Sequence, residues 1–180
     1  MGPKREGSIL TEKEMLMDIK PITTRGIIVD TYSKDFGTFI LLLEKHPYKG
    51  NEKDVTYTFP GGHCEEGETA FSTLVRECVE EAGIEVTPER ECFRHYKIDK
   101  KQPERGNGIM GWYFAIPTNF TPKGPYIEHD KVVHPKWVSL SEFEKIPKNK
   151  IKPDFIKPYI LEAIDGYNFE SKFLEEVYTC

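Results

Sequence analysis

The sequence predicts an α/β (α+β) domain in which a mixed β-sheet is layered against helices. Three observations carry that prediction. Residues 24–60 hold three short apolar or alternating runs of strand type. Residues 69–82 switch to a helical period. Strand-like runs then resume before a second helical stretch, an order that suits a layered sheet better than a doubly wound one.

Residues 1–20 are polar and charged and read as an N-terminal tail. TRGIIVDTY (24–32) and GTFILLLE (37–44) are β-branched, apolar runs separated by SKDF, the pattern of two paired strands. VTYTFP (55–60) alternates and stops at proline, as a short strand does, and GGHCEEGE (61–68) is a glycine-rich loop. In the next stretch Phe71, Leu74, Val75, Cys78, Val79 and Ala82 fall on one broad helical face. Thr69 is suited to cap that helix and Gly83 to stop it. ECFRHYKID (91–99) and IMGWYFAIP (109–117) suggest a hairpin with a long connection, and TPKGPYIEHDK (121–131) reads as a loop. PKWVSL (135–140) reads as a strand leading into a helical turn. Trp112 and Trp137 lie in strand-like runs and are assigned to the core. Residues 21–150 form the predicted main domain. Residues 151–180, introduced by the linker PKNKIKP and helical over 153–164 and 168–178, form an extension packed on it.

The 180 residues carry 25 basic and 30 acidic side chains, a net charge of −5 that argues against nucleic acid or anionic membrane as partners. No apolar run approaches the ~20 residues of a membrane span, and the N-terminus lacks the apolar core of a secretory signal. Four cysteines without a CxxC pair suggest free thiols in a reducing, cytoplasmic setting. A monomer or homodimer is expected.

The densest chemistry is RECVEEAG (76–83). With Glu77 at 0° on a helical wheel, Glu80 falls near about 300° and Glu81 near about 40°. These acids therefore sit beside the apolar face. A solvated helix face explains most glutamate-rich helices, but such faces usually place Lys or Arg four residues from Glu. Here Glu77 meets Glu81 and Glu81 meets Glu85, each a repulsive pair. A hard divalent cation would reverse the sign. The loop PGGHCEEGET has the glycine spacing of a phosphate loop, but Glu68 stands where lysine is required. His63, Cys64 and His95 lack the spacing of a compact zinc motif.

GHCEEGETAFSTLVRECVEEAGI (62–84) resembles the Nudix box, G-x5-E-x7-R-E-U-x-E-E-x-G-U, where U is a bulky aliphatic. Gly62, Glu68, Arg76, Glu77, Glu80, Glu81, Gly83 and Ile84 match, and Cys78 replaces the first U as a small hydrophobe. The resemblance implies an α/β/α sandwich with a mixed sheet. It also implies hydrolysis of a pyrophosphate bond in a nucleoside diphosphate linked to another moiety (a nucleotide sugar, an ADP-ribose-like compound or a nucleoside triphosphate), by water attack on phosphorus with Mg²⁺ or Mn²⁺. By position, Glu77 and Glu81 are the implied principal metal ligands, and Glu80 a further ligand or base. The carbonyl of Gly61 or Gly62 completes the set. Arg76 and Glu68 are the implied structural pair. Glu104 and Glu128 are candidate bases outside the box. Arg25, Lys45, His46, Lys97 and Arg105 are candidate phosphate contacts and Tyr126 a candidate for stacking on a base. A nucleotide-sensing module without turnover is the alternative, and an RNA 5′-end or cap hydrolase fits the acidic balance less well.

Overall fold

The structure, a computed structural model, describes residues 21–30, 37–48, 54–98, 108–166, 172–173 and 178–179. Among these residues the strands are β1 (Thr23–Asp30), β2 (Phe39–Pro47), β3 (Thr56–Thr58), β4 (Val86–Ile98), β5 (Gly108–Pro117), β6 (Tyr126–Glu128), β7 (Lys131–Ser139), β8 (Lys172–Phe173) and β9 (Tyr178–Thr179). Helix α1 covers Ala70–Glu77 and continues as a π-helical turn, Cys78–Ala82. Helices α2 (Leu140–Lys145) and α3 (Lys157–Asp165) follow. The strands form one mixed sheet in the order β6-β7-β2-β1-β5-β4-β8, with β3 paired to β2 and β9 to β4.

Strand alternation divides the core. Ile40 and Leu42 of β2 join Ile27, Val29, Phe59 and Trp112 in a cluster closed by Phe143 of α2 and Ile160 of α3. Leu41 and Leu43 point the other way and join Ile28, Leu74, Cys78 and Ala82. Helix α1 thus covers one face and α2 with α3 the other, the predicted α/β/α sandwich. β1 runs parallel to β5 and is buried on both faces, so its apolar run does not alternate with polar residues.

The predicted pairing of β1 with β2 is confined to Val29↔Ile40 and Asp30↔Phe39. β2 then follows β7 from Phe39↔Ser139 to Pro47↔Lys131. The edge of β1 that β2 leaves open is taken by the glycine-rich loop. Gly26 N donates to Pro60 O at 2.8 Å, Thr24 N donates to Gly62 O at 2.9 Å, and Thr23 bridges His63. This gap-filling places residues 60–63 beside α1.

Several boundaries depart from the sequence reading. β4 starts at Val86 and contains Pro88, just after which the register with β5 shifts. The polar stretch 121–131 contains β6, held by β7. α3 begins at Lys157, four residues later than expected, with Pro158 in its first turn. Within 168–178, expected to be helical, Lys172–Phe173 is strand and pairs parallel with β4 at its sheet edge. The apolar face of α1 is narrower than the wheel suggested. Leu74, Cys78 and Ala82 are buried, whereas Phe71, Val75 and Val79 are 41%, 36% and 45% exposed. Helix α1 therefore leans its acidic flank toward the sheet. Trp112 is fully buried, and Trp137 packs at the edge of the second cluster. The tail at 1–20 and the connection at 99–107, with Glu104 and Arg105, lie outside the described residues.

Candidate active site

Thr69 caps α1 as expected, its side chain accepting from Ser72 N, and Gly83 ends the helix with φ +70°, a conformation that favours glycine. Between them the helix changes pitch. The backbone N–H of Gly83 bonds back to Cys78 and Val79 carbonyls, and the wider π turn carries Glu80 and Glu81. Glu81 turns inward and its Oε2 accepts from Gly61 N at 2.8 Å. Glu80 stays outside, its side chain 57% exposed. Glu77, 14% exposed, lies against Gly62, where a Cβ would come within 2.1 Å of Glu77 Oε1. A glycine here is what allows the loop to press on that carboxylate.

Arg76 and Glu68 are paired. Arg76 Nε donates to Glu68 Oε1 at 2.8 Å and Nη2 to Oε2 at 3.0 Å. The same guanidinium reaches Glu77 at 2.9 Å, Glu80 at 3.1 Å and the His63 carbonyl at 3.2 Å. The bonds from Arg76, then those from the Glu65 N–H and the Thr73 hydroxyl, hold the Glu68 carboxyl down at about 2. Lysine has one ammonium and no planar fork, so it cannot serve all these acceptors together. Arg76→Lys is therefore expected to lower kcat/KM about tenfold while retaining the fold. Wild-type kinetics across a magnesium titration would contradict that.

Glu81 is the electrostatic centre. Burial pushes its carboxyl up to about 7, with Glu77 adding to the rise and Arg25, the Gly61 N–H and Lys45 opposing it. Arg25 Nη1 donates to the carbonyls of Phe59, at 2.9 Å, and Gly61. Lys45 is ion-paired with Glu128. Tyr126, on β6 rather than in a loop, has a buried hydroxyl with no hydrogen-bond partner among the described residues. Burial, then Glu81, Glu128 and Glu77, raise its pKa. The ammonium of Lys123 lies 4.0 Å above its ring. Glu77, Glu81, Arg25, Lys45, Tyr126 and Glu128 thus gather at the end of α1. His46 does not join them. It follows Lys45 on β2, faces the opposite side of the strand, and bonds Glu44 at 2.8 Å. His63, Cys64 and His95 do not converge. Cys64 Sγ donates to Pro21 O at 3.3 Å, and His95 is buried against Trp112.

Among the described residues no three His, Cys, Asp or Glu side chains form a finished metal cage. The donor set nevertheless suits a hard cation. It offers crowded carboxylates, one desolvated, beside an unpartnered hydroxyl and two loop carbonyls. Each carbonyl accepts one hydrogen bond, Gly61 O from Arg25 and Gly62 O from Thr24, leaving one lone pair.

On the other side of the Phe59–Gly61 segment opens a cavity of about 650 Å³, reached by Arg25 and floored by His95, Met110 and Phe155. Lys97, Lys148 and Lys152 also line it. The sequence reading missed this cavity, because its walls come from β1, β3, β4, β5 and the segment before α3. The lysine-rich linker PKNKIKP was the available signal. Lys123 was missed too. Its N–H and ammonium donate to the Ala82 and Glu80 carbonyls at the end of α1.

The comparisons agree with this fold. A family model described as the NUDIX domain matches residues 22–159. No curated protein sequence matches the chain. Among solved structures, a NUDIX hydrolase from Nitrosomonas europaea superposes with a TM-score of 0.57 at 18% identity, covering 87% of this chain and 80% of that one. An ADP-ribose pyrophosphatase from Streptococcus suis gives 0.55 at 20% identity, covering 84% and 97%. A UDP-X diphosphatase gives 0.56 at 13% identity, covering 86% and 68%. At these identities the superpositions establish the fold, and the family model establishes the lineage. The chain belongs to the NUDIX family of pyrophosphohydrolases.

Proposed function

We propose that this protein hydrolyses the pyrophosphate bond of a nucleoside diphosphate linked to another moiety, by metal-assisted attack of water on phosphorus. One observation carries the reading. Glu77 and Glu81 are pressed against Gly61 and Gly62, and Arg25 joins that same loop to a basic cavity of nucleotide size.

Glu77 and Glu81 are the residues that would hold Mg²⁺ or Mn²⁺, with Glu80 and the Gly61 or Gly62 carbonyl completing the set. A bound cation of this kind polarises phosphoryl oxygens and lowers the pKa of an attacking water. Arg76 and Glu68 orient the ligands. Arg25 and Lys45 offset the charge of the diphosphate, and the cavity receives the nucleoside. Glu128, held by Lys45, is the candidate base among the described residues. Two of the similar structures are an ADP-ribose pyrophosphatase and a UDP-X diphosphatase, so both substrate classes enter the test.

The test is a turnover panel with Mg²⁺ or Mn²⁺: ADP-ribose, UDP-sugars, and ribo- and deoxyribonucleoside triphosphates, with release of mononucleotide or phosphate measured. Turnover of at least one member, abolished by chelator and restored by metal, is expected. Saturable binding without turnover of any member would favour a sensing module instead.

A further inference from the structure

The cavity beside Arg25 contains a side chain that the catalytic reading does not use. His95 is 2% exposed and lines the cavity with Met110 and Phe155. Its ring stands edge-on to Phe155, centroids 5.1 Å apart, so packing fixes its plane. Trp112 Nε1 donates to His95 Nδ1 at 3.2 Å. An indole N–H can only donate, so Nδ1 must be the bare nitrogen. The ring is then neutral and carries its proton on Nε2. Burial, aided by the charge of Lys97, pushes the imidazole down to about 4, in keeping with a neutral ring. Nε2–H is the remaining polar atom of the ring, and the cavity that His95 lines is where a ligand would meet it.

Most other polar side chains of the wall are donors. Arg25, Lys97, Lys148 and Lys152 have no acceptor, Thr58 can donate or accept, and Asp154 accepts from Lys152 at 2.6 Å through Oδ1. At Nε2–H a carbonyl oxygen on the base finds its donor, whereas an exocyclic amino group sets donor against donor and the base must shift to offer a ring nitrogen instead. We propose that His95 is a specificity-determining residue, donating from Nε2 to a carbonyl oxygen on the base of the bound nucleotide. The inference rests on the nucleotide reading above and adds which kind of base is taken.

Inosine and adenosine 5′-monophosphates test it by isothermal titration without turnover, since they differ in an oxo against an amino group. The wild type is expected to bind the inosine compound about five- to tenfold more tightly, the effect of about one neutral hydrogen bond. His95→Asn keeps an acceptor for Trp112 but withdraws the Nε2 donor, and is expected to lose that preference. His95→Gln places an amide donor near Nε2 and is expected to keep it. Equal affinities in the wild type, or an undiminished preference in His95→Asn, would overturn the proposal. The wild-type comparison decides even if a variant fails to fold. Failure of the wild type to bind either nucleotide overturns it as well. If the turnover panel still shows metal-dependent cleavage in that case, the catalytic reading stands and only the cavity assignment falls.

Discussion

Glu81→Gln is expected to lower turnover by about 10²-fold or more and to make the metal-free protein more stable at pH 8. The two effects have one cause. Glu81 is buried beside Glu77, and its carboxyl is pushed up from 4.5 to about 7. A pKa raised in the folded state means that the native protein binds more protons than the unfolded chain between those values. Stability from this group is complete below about pH 4.5 and is lost as pH rises through about 7. Above that, wild type carries an ionised, desolvated carboxylate whose cost is at most about 3 kcal/mol. Glutamine is nearly the same shape and its amide oxygen can still accept from Gly61 N, but it brings no charge. Its metal-free form should therefore melt roughly 5 °C higher at pH 8, with the gain shrinking toward pH 5. A cation stabilises only the form that binds it. Magnesium should raise the Tm of wild type and leave that of Glu81→Gln unchanged. Wild-type turnover in the variant, or an equal magnesium shift, would remove Glu81 from the metal site.

The adjacent glycines are expected to fail in different ways when replaced by alanine. At Gly61 a Cβ would lie 2.1 Å from the Thr24 carbonyl oxygen and 2.9 Å from Arg25 Cα, at φ +140°. Both neighbours are backbone of β1 and neither can yield. Gly61→Ala should cost about 2–4 kcal/mol and lower the Tm markedly. At Gly62 the added Cβ meets the end of the Glu77 side chain, 2.1 Å from Oε1, and that carboxylate can move. Gly62→Ala should keep its Tm within a few degrees but need about tenfold more magnesium for half-maximal rate. Equal destabilisation by both replacements would show that Glu77 is not seated against Gly62.

Much of the site was legible because it is local. The cap at Thr69 and the stop at Gly83 follow from helical geometry within one segment, and the pairing of Glu68 with Arg76 was implied by the resemblance of that segment to the Nudix box. The opposite placements of Lys45 and His46 were legible in principle from strand alternation. The inward turn of Glu81 was not, because the wheel assumed a constant α period and the chain widens into a π turn at Cys78. Nor was the solvent exposure of Phe71, Val75 and Val79, since an apolar residue carries no record of which neighbour covers it.

The sequence by itself determined the central strands, the box helix and the spacing of its acids, because periodicity and capping act over a few residues; β6 and the strand at Lys172–Phe173, which rest on pairing with β7 and β4, were not legible. Only the tertiary structure decided where those acids act. β2 leaves β1 after two residue pairs, the loop at 60–63 fills the gap, and its glycines come against Glu77 and Glu81. The cavity behind that loop, with His95 oriented by Trp112, joins segments more than a hundred residues apart. Such contacts depend on strand order, and strand order is set by the total burial of two faces of a sheet rather than by any one stretch of chain.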